Sequence, residues 1–136
     1  MSYLNDLAFG RQSEANVQSR LETYFERKLV RGGRFAPFDY NDGSTLFVEL
    51  KTRRIPHNKY PTAILGANKV EIAEKNPSHQ YWFCYSYEDG IFGIPYSKEV
   101  FDTFEHSDYL RGERDGICDR PQHVYFIPST SLKRLF

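Results

Sequence analysis

The stretch FDYNDGSTLFVELKTRR, residues 38–54, decides how this chain folds. Two apolar runs flank Asn-Asp-Gly-Ser (41–44), and Asn-Asp-Gly is typical of a tight turn between antiparallel strands. We therefore predict a β-hairpin built from RFAPFDY (34–40) and STLFVELKTR (44–53). The second strand carries Glu49 and Lys51 one residue apart, so both charged side chains point to the same face of the sheet.

Asp39 lies at the end of the first predicted strand, and a tight hairpin would bring its carboxylate close to Glu49. Neighbouring carboxylates repel unless a cation lies between them, and hard oxygen ligands suit Mg²⁺ or Mn²⁺. Lys51 would then orient a water molecule or bind a phosphate. The alternative is a surface salt bridge on a solvent-facing strand. Asp42 is a rival carboxylate, but its place in Asn-Asp-Gly favours a turn role.

The clearest helix in the sequence is SEANVQSRLETYFERKLV (13–30), with Ser13 as N-cap and Gly32-Gly33 as the stop. Its apolar face is formed by Val17, Leu21, Tyr24 and Phe25. Glu14 falls on the same side, where a carboxylate is unusual without a partner. Its alternative role is that of a first-turn acid favoured by the helix dipole.

The remaining pattern predicts a helix over much of 63–75, a hairpin of QYWFCYSY (80–87) and IFGIPY (91–96), and a short helix opened by Ser97. A polar loop over 107–121 and a last strand, HVYFIP (123–128), follow, and a helical piece over 2–9 precedes Gly10. This order predicts an α/β fold, bordering on α+β, with a mixed central sheet flanked by helices. The length of 136 residues fits one domain, 1–136.

Composition narrows the class of protein. No apolar run approaches the roughly 20 residues of a membrane span, and no signal peptide is apparent, so we expect a cytoplasmic or nuclear protein without membrane contact. Cys84 and Cys118 are far apart, which favours reduced thiols over a disulfide or zinc site. Zero net charge argues against a protein that coats nucleic acid. The absence of a glycine-rich phosphate loop argues against a nucleotide cofactor.

The charges are nevertheless uneven along the chain. KTRRIPHNK (51–59) contains five basic residues and no acidic one. Arg53, Arg54, His57 and Lys59 would make good contacts to a nucleic-acid backbone. The alternative is a solvated loop. No second histidine stands at ligand spacing from His57, so we do not expect it to bind a metal.

Glu14, Pro37-Phe38-Asp39 and Glu49-Leu50-Lys51 together resemble the signature of the PD-(D/E)xK nuclease superfamily, whose fold is restriction-endonuclease-like. Nine residues separate Asp39 from Glu49, which is a usual hairpin spacing in that superfamily. The resemblance extends over the element order from about residue 10 to residue 95. One departure is that Pro37 lies two residues before the aspartate rather than next to it.

The resemblance implies that Asp39 and Glu49 ligate Mg²⁺, helped by the backbone carbonyl of Leu50, with Mn²⁺ as a substitute. It implies that Lys51 positions the attacking water and that Glu14 completes the acidic cluster directly or through a metal-bound water. Lys69, on the second predicted helix, would face the site and contact the phosphate. A solvated helix lysine is the alternative for Lys69.

These implications predict an Mg²⁺-dependent endonuclease that hydrolyses phosphodiester bonds in DNA, with RNA as a further substrate to test. A chain this short lacks room for a separate sequence-reading domain, so junctions, flaps or ends are favoured. Its likeness to junction resolvases implies a homodimer. Two alternatives remain: a non-catalytic nucleic-acid-binding or assembly module that keeps the nuclease fold, and a structural salt-bridge network in an unrelated α/β protein. For 107–122, a substrate-gripping loop and a dimer contact are equally open.

Overall fold

A computed structural model describes residues 16–109, 113–114, 117–118 and 122–136. Within them lie a six-stranded mixed sheet, a three-stranded antiparallel sheet and a short two-stranded ribbon, together with α-helices. The predicted fold class, a mixed sheet flanked by helices, is confirmed. The predicted helical piece over 2–9, the Ser13 cap and Glu14 lie outside the described residues.

The chain order alternates short helices with strands. Residues 16–25 form α1. The remaining elements are β1 (Val30–Arg31), β2 (Tyr40–Asn41), β3 (Leu46–Thr52), β4 (Thr62–Gly66), α2 (Ala67–Lys75), β5 (Gln80–Tyr87), β6 (Gly90–Pro95), α3 (Lys98–Phe101), β7 (Glu105–Tyr109), β8 (Glu113–Arg114), β9 (Ile117–Cys118), β10 (Gln122–Pro128), a 3₁₀ turn (Ser129–Ser131) and β11 (Lys133–Arg134).

The large sheet has the strand order β1-β2-β3-β5-β6-β11. Both predicted hairpins are present, since β2 pairs antiparallel with β3 and β5 pairs antiparallel with β6. Between the hairpins, β4 and α2 form the crossover that lets β5 pair with β3 in parallel. The first hairpin and the crossover therefore meet at β3, the strand that carries Glu49 and Lys51.

One face of the large sheet is covered by α1. Val17 and Leu21 pack there with Val48, Cys84 and other apolar side chains. Trp82 lies under the same helix, with its ring centroid 5.9 Å from that of Tyr24 and 5.3 Å from that of Phe25. The predicted apolar face of the helix is thus confirmed, and the partly buried Trp82 packs against the same core. Cys84 is a buried free thiol, and burial raises its pKa.

The opposite face of the large sheet shares a second core with α2 and the small sheet, whose strand order is β4-β10-β7. Leu65 of β4, Val70 of α2 and Ile127 of β10 are buried there with Phe83 and Tyr85 of β5. In register with these two residues, Glu49 lies beside Phe83 and Lys51 beside Tyr85. The charged pair of β3 therefore points to the face covered by α2, not to bulk solvent.

The prediction that α1 runs to Gly32-Gly33 was wrong. The helix ends at residue 25 because Glu26 adopts a left-handed backbone conformation with φ 55°. The amide of Arg27 then donates to the carbonyl of Glu22 at 3.2 Å, a pattern typical of a Schellman ending. The Glu22 carboxylate also accepts a 2.8 Å hydrogen bond from the amide of Leu29, so the chain turns before β1.

Three strand boundaries also differ from the prediction. Most of 34–40 is an irregular loop, and only Tyr40 and Asn41 form β2. Residues 62–66 are strand β4 rather than the start of a helix, because they pair with β10. The predicted loop over 107–121 includes part of β7 and the short strands β8 and β9, and HVYFIP is followed by a further strand, β11.

In the described part of the chain, no helix has the length and apolar character needed to cross a membrane.

Candidate functional site

The first hairpin sets Asp39 across from Glu49. Tyr40 pairs with Val48, and extending that antiparallel register by one residue places Asp39 opposite Glu49. One carboxylate oxygen of Asp39, Oδ2, accepts a 2.7 Å hydrogen bond from the amide of Leu50. The backbone of β3 thus fixes the Asp39 carboxylate beside the strand, as the hairpin prediction requires.

Glu49 is the buried charged residue of the described chain, with 6% of its surface exposed. Burial raises the pKa of its carboxyl to about 7, and a hydrogen bond and charge repulsion from Asp39 add to the effect, while Lys69 opposes it. A carboxyl in this position holds a proton up to neutral pH unless a cation stabilises its charged form. A positive charge bound nearby would therefore stabilise the ionised form of this pair of carboxyl groups.

Lys69 supplies one such positive charge. Its Nζ lies 3.2 Å from Oε2 of Glu49, and it also donates to the backbone carbonyl of Pro37. The ammonium stands 5.3 Å from the ring centroid of Phe38, within cation–π range. Because α2 begins at Ala67, Lys69 is in the first turn of the helix and reaches back to the hairpin. The structure thus brings Lys69 to the predicted site through Glu49.

Lys51 opens onto a polar cleft of about 110 Å³ beside the carboxylates. The cleft is lined by Lys51, Ile64, Gly66, Asn68, Lys69, Gln122 and Val124. Its walls come from β3, β4, the start of α2 and β10, so both sheets contribute. Two lysines and two side-chain amides make this a cleft that favours an anionic, hydrogen-bonding group such as a phosphate.

The residues that the structure describes fit a divalent cation in part. Asp39 and Glu49 supply two hard carboxylate ligands, and Leu50 adjoins them because its amide binds Asp39. No three His, Cys, Asp or Glu side chains in the described ranges are grouped to hold a metal ion. The third predicted carboxylate, Glu14, lies outside those ranges. Asp39, Glu49 and the carbonyl of Leu50 would therefore form the described part of the ligand set.

Asp42 does not belong to the site. Its Oδ1 accepts hydrogen bonds from the amides of Ser44, Thr45 and Leu46 at 2.8, 2.9 and 3.0 Å. Its Oδ2 lies 3.0 Å from Nη1 of Arg27. This carboxylate closes the hairpin turn, so the predicted turn role of Asp42 is confirmed.

The four side chains after β3 that were predicted to contact nucleic acid differ in their exposure and in their partners. Arg53 and Arg54 are exposed, and Lys59 is exposed with its Nζ 5.7 Å from the ring centroid of Tyr60. His57 is held in place, because its amide donates to Asp89 at 2.9 Å and its ring nitrogen Nδ1 contacts the same carboxylate. Its ring also stacks on Phe92 with 4.2 Å between centroids. His57 therefore anchors the basic loop to the β5–β6 turn.

Sequence reasoning missed Asn68 and Gln122, which line the cleft, and the Pro37 carbonyl that holds Lys69. Asn68 follows Gly66 at the start of α2, and its Oδ1 lies so close to Gly66 that an added Cβ would approach it to 2.6 Å. Asn68 carried no sequence signal for this role, because only the packing of α2 beside β3 and β10 makes it part of the cleft. Gln122 carried no such signal, because only the pairing of β10 with β4 brings it to the site.

No protein-family model matches this chain, and no curated protein sequence matches it.

Proposed function

We propose that this chain is a metal-dependent nuclease that hydrolyses phosphodiester bonds in DNA, as the resemblance to the PD-(D/E)xK superfamily implies. The observation that carries the proposal is the pairing of the buried Glu49 carboxyl with Asp39, joined through the Lys69 ion pair to a cleft lined by Lys51 and Lys69. Acidic groups that demand a cation, placed beside basic groups that attract an anion, form the pairing that phosphodiester hydrolysis requires.

The order of elements gives independent support. A helix, a hairpin whose second strand carries Glu49 and Lys51, a crossover helix and further strands follow one another as the resemblance implies. The hairpin register sets Asp39 opposite Glu49, although only two residues of the first strand, Tyr40 and Asn41, are regular. Asp39 and Glu49 are therefore neighbours in space, although nine residues separate them in the chain.

Asp39 and Glu49 would hold Mg²⁺ or Mn²⁺, which when bound would activate water and offset phosphate charge. The hydrogen bond from the Leu50 amide orients Asp39 for this role. Lys69 offsets part of the rise in the pKa of Glu49 by lying against Oε2, and its contact with Pro37 holds the loop before Asp39 in place. The chain thus arranges both ligands before a substrate arrives.

Lys51 would bind a non-bridging phosphate oxygen and stabilise the negative charge that develops in the transition state. Its cleft offers Asn68 and Gln122 as further hydrogen-bond donors. The exposed side chains of Arg53, Arg54 and Lys59 continue the basic character away from β3, where they would contact neighbouring phosphates without reading sequence. Such phosphate contacts are available on single-stranded, branched and duplex DNA alike, and a homodimer would cut two strands symmetrically.

The Lys69–Glu49 ion pair also favours a second candidate, a nucleic-acid-binding module that retains the fold without catalysis. In this reading the lysine replaces the cation permanently, since it already lies 3.2 Å from the glutamate. The two candidates differ in their need for metal. The nuclease requires a divalent cation to cut, whereas the binding module holds DNA equally well in EDTA.

The deciding experiment is a cleavage assay on branched, single-stranded and duplex DNA, and on RNA, in Mg²⁺, Mn²⁺ or EDTA. We expect cutting in either metal and none in EDTA. Glu49→Gln and Lys51→Ala should abolish cutting while DNA binding, measured by fluorescence anisotropy, largely survives. Lys75→Ala is the matched control, because Lys75 is an exposed lysine at the far end of α2.

Binding by the wild-type chain without cutting in any metal would replace the nuclease with the binding module. If the wild-type chain neither binds nor cuts DNA or RNA, the result would favour a structural salt-bridge network. Calorimetric titration with Mn²⁺ adds a readout independent of turnover. It should detect a site in the wild type that Glu49→Gln weakens and Lys75→Ala leaves intact.

A further inference from the structure

Phe35 stands out on the surface of the described chain. With 92% of its surface exposed, it is far more accessible than the other exposed large apolar residues, among them Val30 at 61% and Val100 at 42%. An isolated exposed apolar residue is common and needs no explanation by itself. The case of Phe35 differs because the backbone beneath it is fixed and its surroundings are basic.

The loop that carries Phe35 is pinned at its base and at its tip. The amide of Gly32 donates to the carbonyl of Asp39 at 2.7 Å, and the amide of Ala36 donates to the carbonyl of Gly33 at 2.9 Å. A Cβ on Gly32 would approach the carbonyl oxygen of Phe38 to 2.4 Å, so this close approach of two backbone segments requires glycine. Phe35 is thus presented on a closed turn rather than on a free tail.

The same segment is uniformly basic. Residues 27–38 include Arg27, Lys28, Arg31 and Arg34 and no acidic residue. Arg27 is paired with Asp42, but Arg34 is exposed and its guanidinium carbon lies 5.6 Å from the ring centroid of Phe35. A flat apolar ring beside the Arg34 guanidinium complements a nucleobase and its phosphate better than it complements an apolar protein surface.

The turn is also tied to the candidate site. The Gly32–Asp39 hydrogen bond joins the base of the loop to the residue that faces Glu49. Four residues of chain span at most about 14 Å, so the Cα of Phe35 lies within that distance of the Cα of Asp39. At about 3.4 Å per stacked nucleotide, Phe35 therefore lies at most about four nucleotides from the proposed point of cleavage.

We propose that Phe35 stacks on an unpaired or splayed nucleobase of single-stranded or branched DNA, and that Arg34 contacts the adjoining phosphate. This inference rests on the proposed nucleic-acid function and extends it, because it assigns the preference for unpaired DNA to one side chain. Perfect duplex offers that ring no accessible base face. The turn thus selects substrate structure, while the carboxylates and lysines perform the chemistry.

The test uses the whole chain in EDTA, where no cleavage occurs, and single-stranded, forked and duplex DNA carrying 2-aminopurine. Stacking on an aromatic ring quenches the fluorescence of this base. Phe35→Ala should weaken binding to single-stranded and forked DNA by about 5- to 100-fold and remove the protein-dependent quenching. Binding to duplex DNA should change less than threefold.

Phe35→Trp should restore both affinity and quenching, whereas Phe35→Leu, which keeps an apolar side chain, should restore neither. Val100→Ala, at another exposed apolar position, serves as the matched control and should behave as wild type. Unchanged binding by Phe35→Ala would overturn the proposal, and so would full rescue by Phe35→Leu. Dimerisation lost in Phe35→Ala with unchanged DNA binding would assign the ring to a second copy of the chain.

Failure of this inference can be told apart from failure of the proposed nuclease. Phe35-dependent quenching without cutting in any metal would leave the stacking role standing and remove the catalytic one. If Phe35→Ala cuts forked and duplex DNA as the wild type does, and the cutting needs metal, the catalytic role would stand and the stacking role would be removed. The Lys51→Ala variant should retain Phe35-dependent quenching, because Lys51 is proposed to act on the phosphate rather than on the base.

Discussion

The two ends of the first hairpin use the same type of side chain in opposite ways. At the turn, Asp42 is partly buried, but hydrogen bonds from Leu46, Ser44, Arg27 and Thr45 outweigh that burial and lower its pKa. At the open end, burial and the neighbouring Asp39 raise the pKa of Glu49 to about 7. A carboxylate surrounded by donors completes the fold. The buried Glu49 carboxyl faces Asp39 and is compensated only in part by Lys69, and this is the end of the hairpin at which we propose that a cation binds.

The largest expected difference between the two ends is in catalysis and metal binding. Asp39→Asn should lower the rate of cleavage by at least about 100-fold, because it removes a charged ligand and leaves Glu49 without its partner. Asp42→Asn should leave the rate within about threefold of wild type. Single-turnover cleavage and Mn²⁺ titration measure both effects. Equal losses in the two variants would mean that the hairpin as a whole, and not its open end, governs activity.

For the free energy of unfolding, we expect substitution of Asp42 to have a larger effect than substitution of Asp39. Asp42→Ala leaves three backbone amides and Arg27 without their acceptor, which we expect to cost about 2–3 kcal/mol of unfolding free energy. Asp39→Ala removes a single amide contact, to Leu50, and should cost about 1 kcal/mol or less. Urea denaturation at pH 7 in EDTA measures the difference. A larger loss for Asp39→Ala would contradict the assignment of the structural role to Asp42.

The two ends should also respond oppositely to pH. Because the folded-state pKa of Glu49 lies above its ordinary value of 4.5, its contribution to stability is complete below about pH 4.5 and is lost as pH rises through about 7. We expect the metal-free protein to lose about 3 kcal/mol from this group between pH 4.5 and 8. Asp42, whose pKa is lowered, contributes above its ordinary pKa of 3.8 and loses that contribution as pH falls.

Urea denaturation of Glu49→Gln across the same range provides the check. The variant should show a smaller decline in stability toward pH 8 than the wild type, because glutamine stays neutral throughout. Identical pH profiles for the two proteins would show that Glu49 titrates normally in the folded state. Repeating the series on Asp42→Asn, extended to about pH 2.5, separates the loss at the turn below pH 3.8 from the loss at the open end between pH 4.5 and 8.

The smallest expected effect concerns the backbone of the turn. Gly43 adopts a φ of 81°, so Gly43→Ala should cost about 1 kcal/mol although no atom stands in the way of the new methyl group. Gly33→Ala is the matched control, since the space around Gly33 is equally open and its backbone is not left-handed. Thermal unfolding of both variants suffices. Equal stabilities would mean that the turn relaxes to accommodate the side chain.

The sequence was informative where local chemistry decides the structure. Asn-Asp-Gly predicted the hairpin, and strand alternation predicted that Glu49 and Lys51 share a face. It failed at the end of α1, because a glutamate and not a glycine adopts the left-handed conformation there. It failed at 62–66, since a short apolar run does not distinguish strand from helix until pairing with β10 is known.

At the site, the same division holds. Asp39 and Glu49 were predictable as a pair because one hairpin brings them together. The contact between Lys69 and Glu49 depends on the angle at which α2 returns over the sheet, and no local pattern encodes that angle. Gln122 needs the pairing of two strands more than fifty residues apart in the chain, so sequence reasoning left its stretch unassigned.

The location of Cys84 makes the alkylation rate of its thiol a measure of how often the protein unfolds globally. Its thiol lies at the centre of β5, beneath α1, and burial keeps it protonated. An alkylating reagent can reach this sulfur only after β5 becomes exposed to solvent. In a Cys118→Ser background, the labelling rate therefore reports the frequency of such unfolding events. Labelling in the presence and absence of Mn²⁺ would then report, without any substrate, how strongly the proposed binding of a cation by Asp39 and Glu49 stabilises the whole molecule.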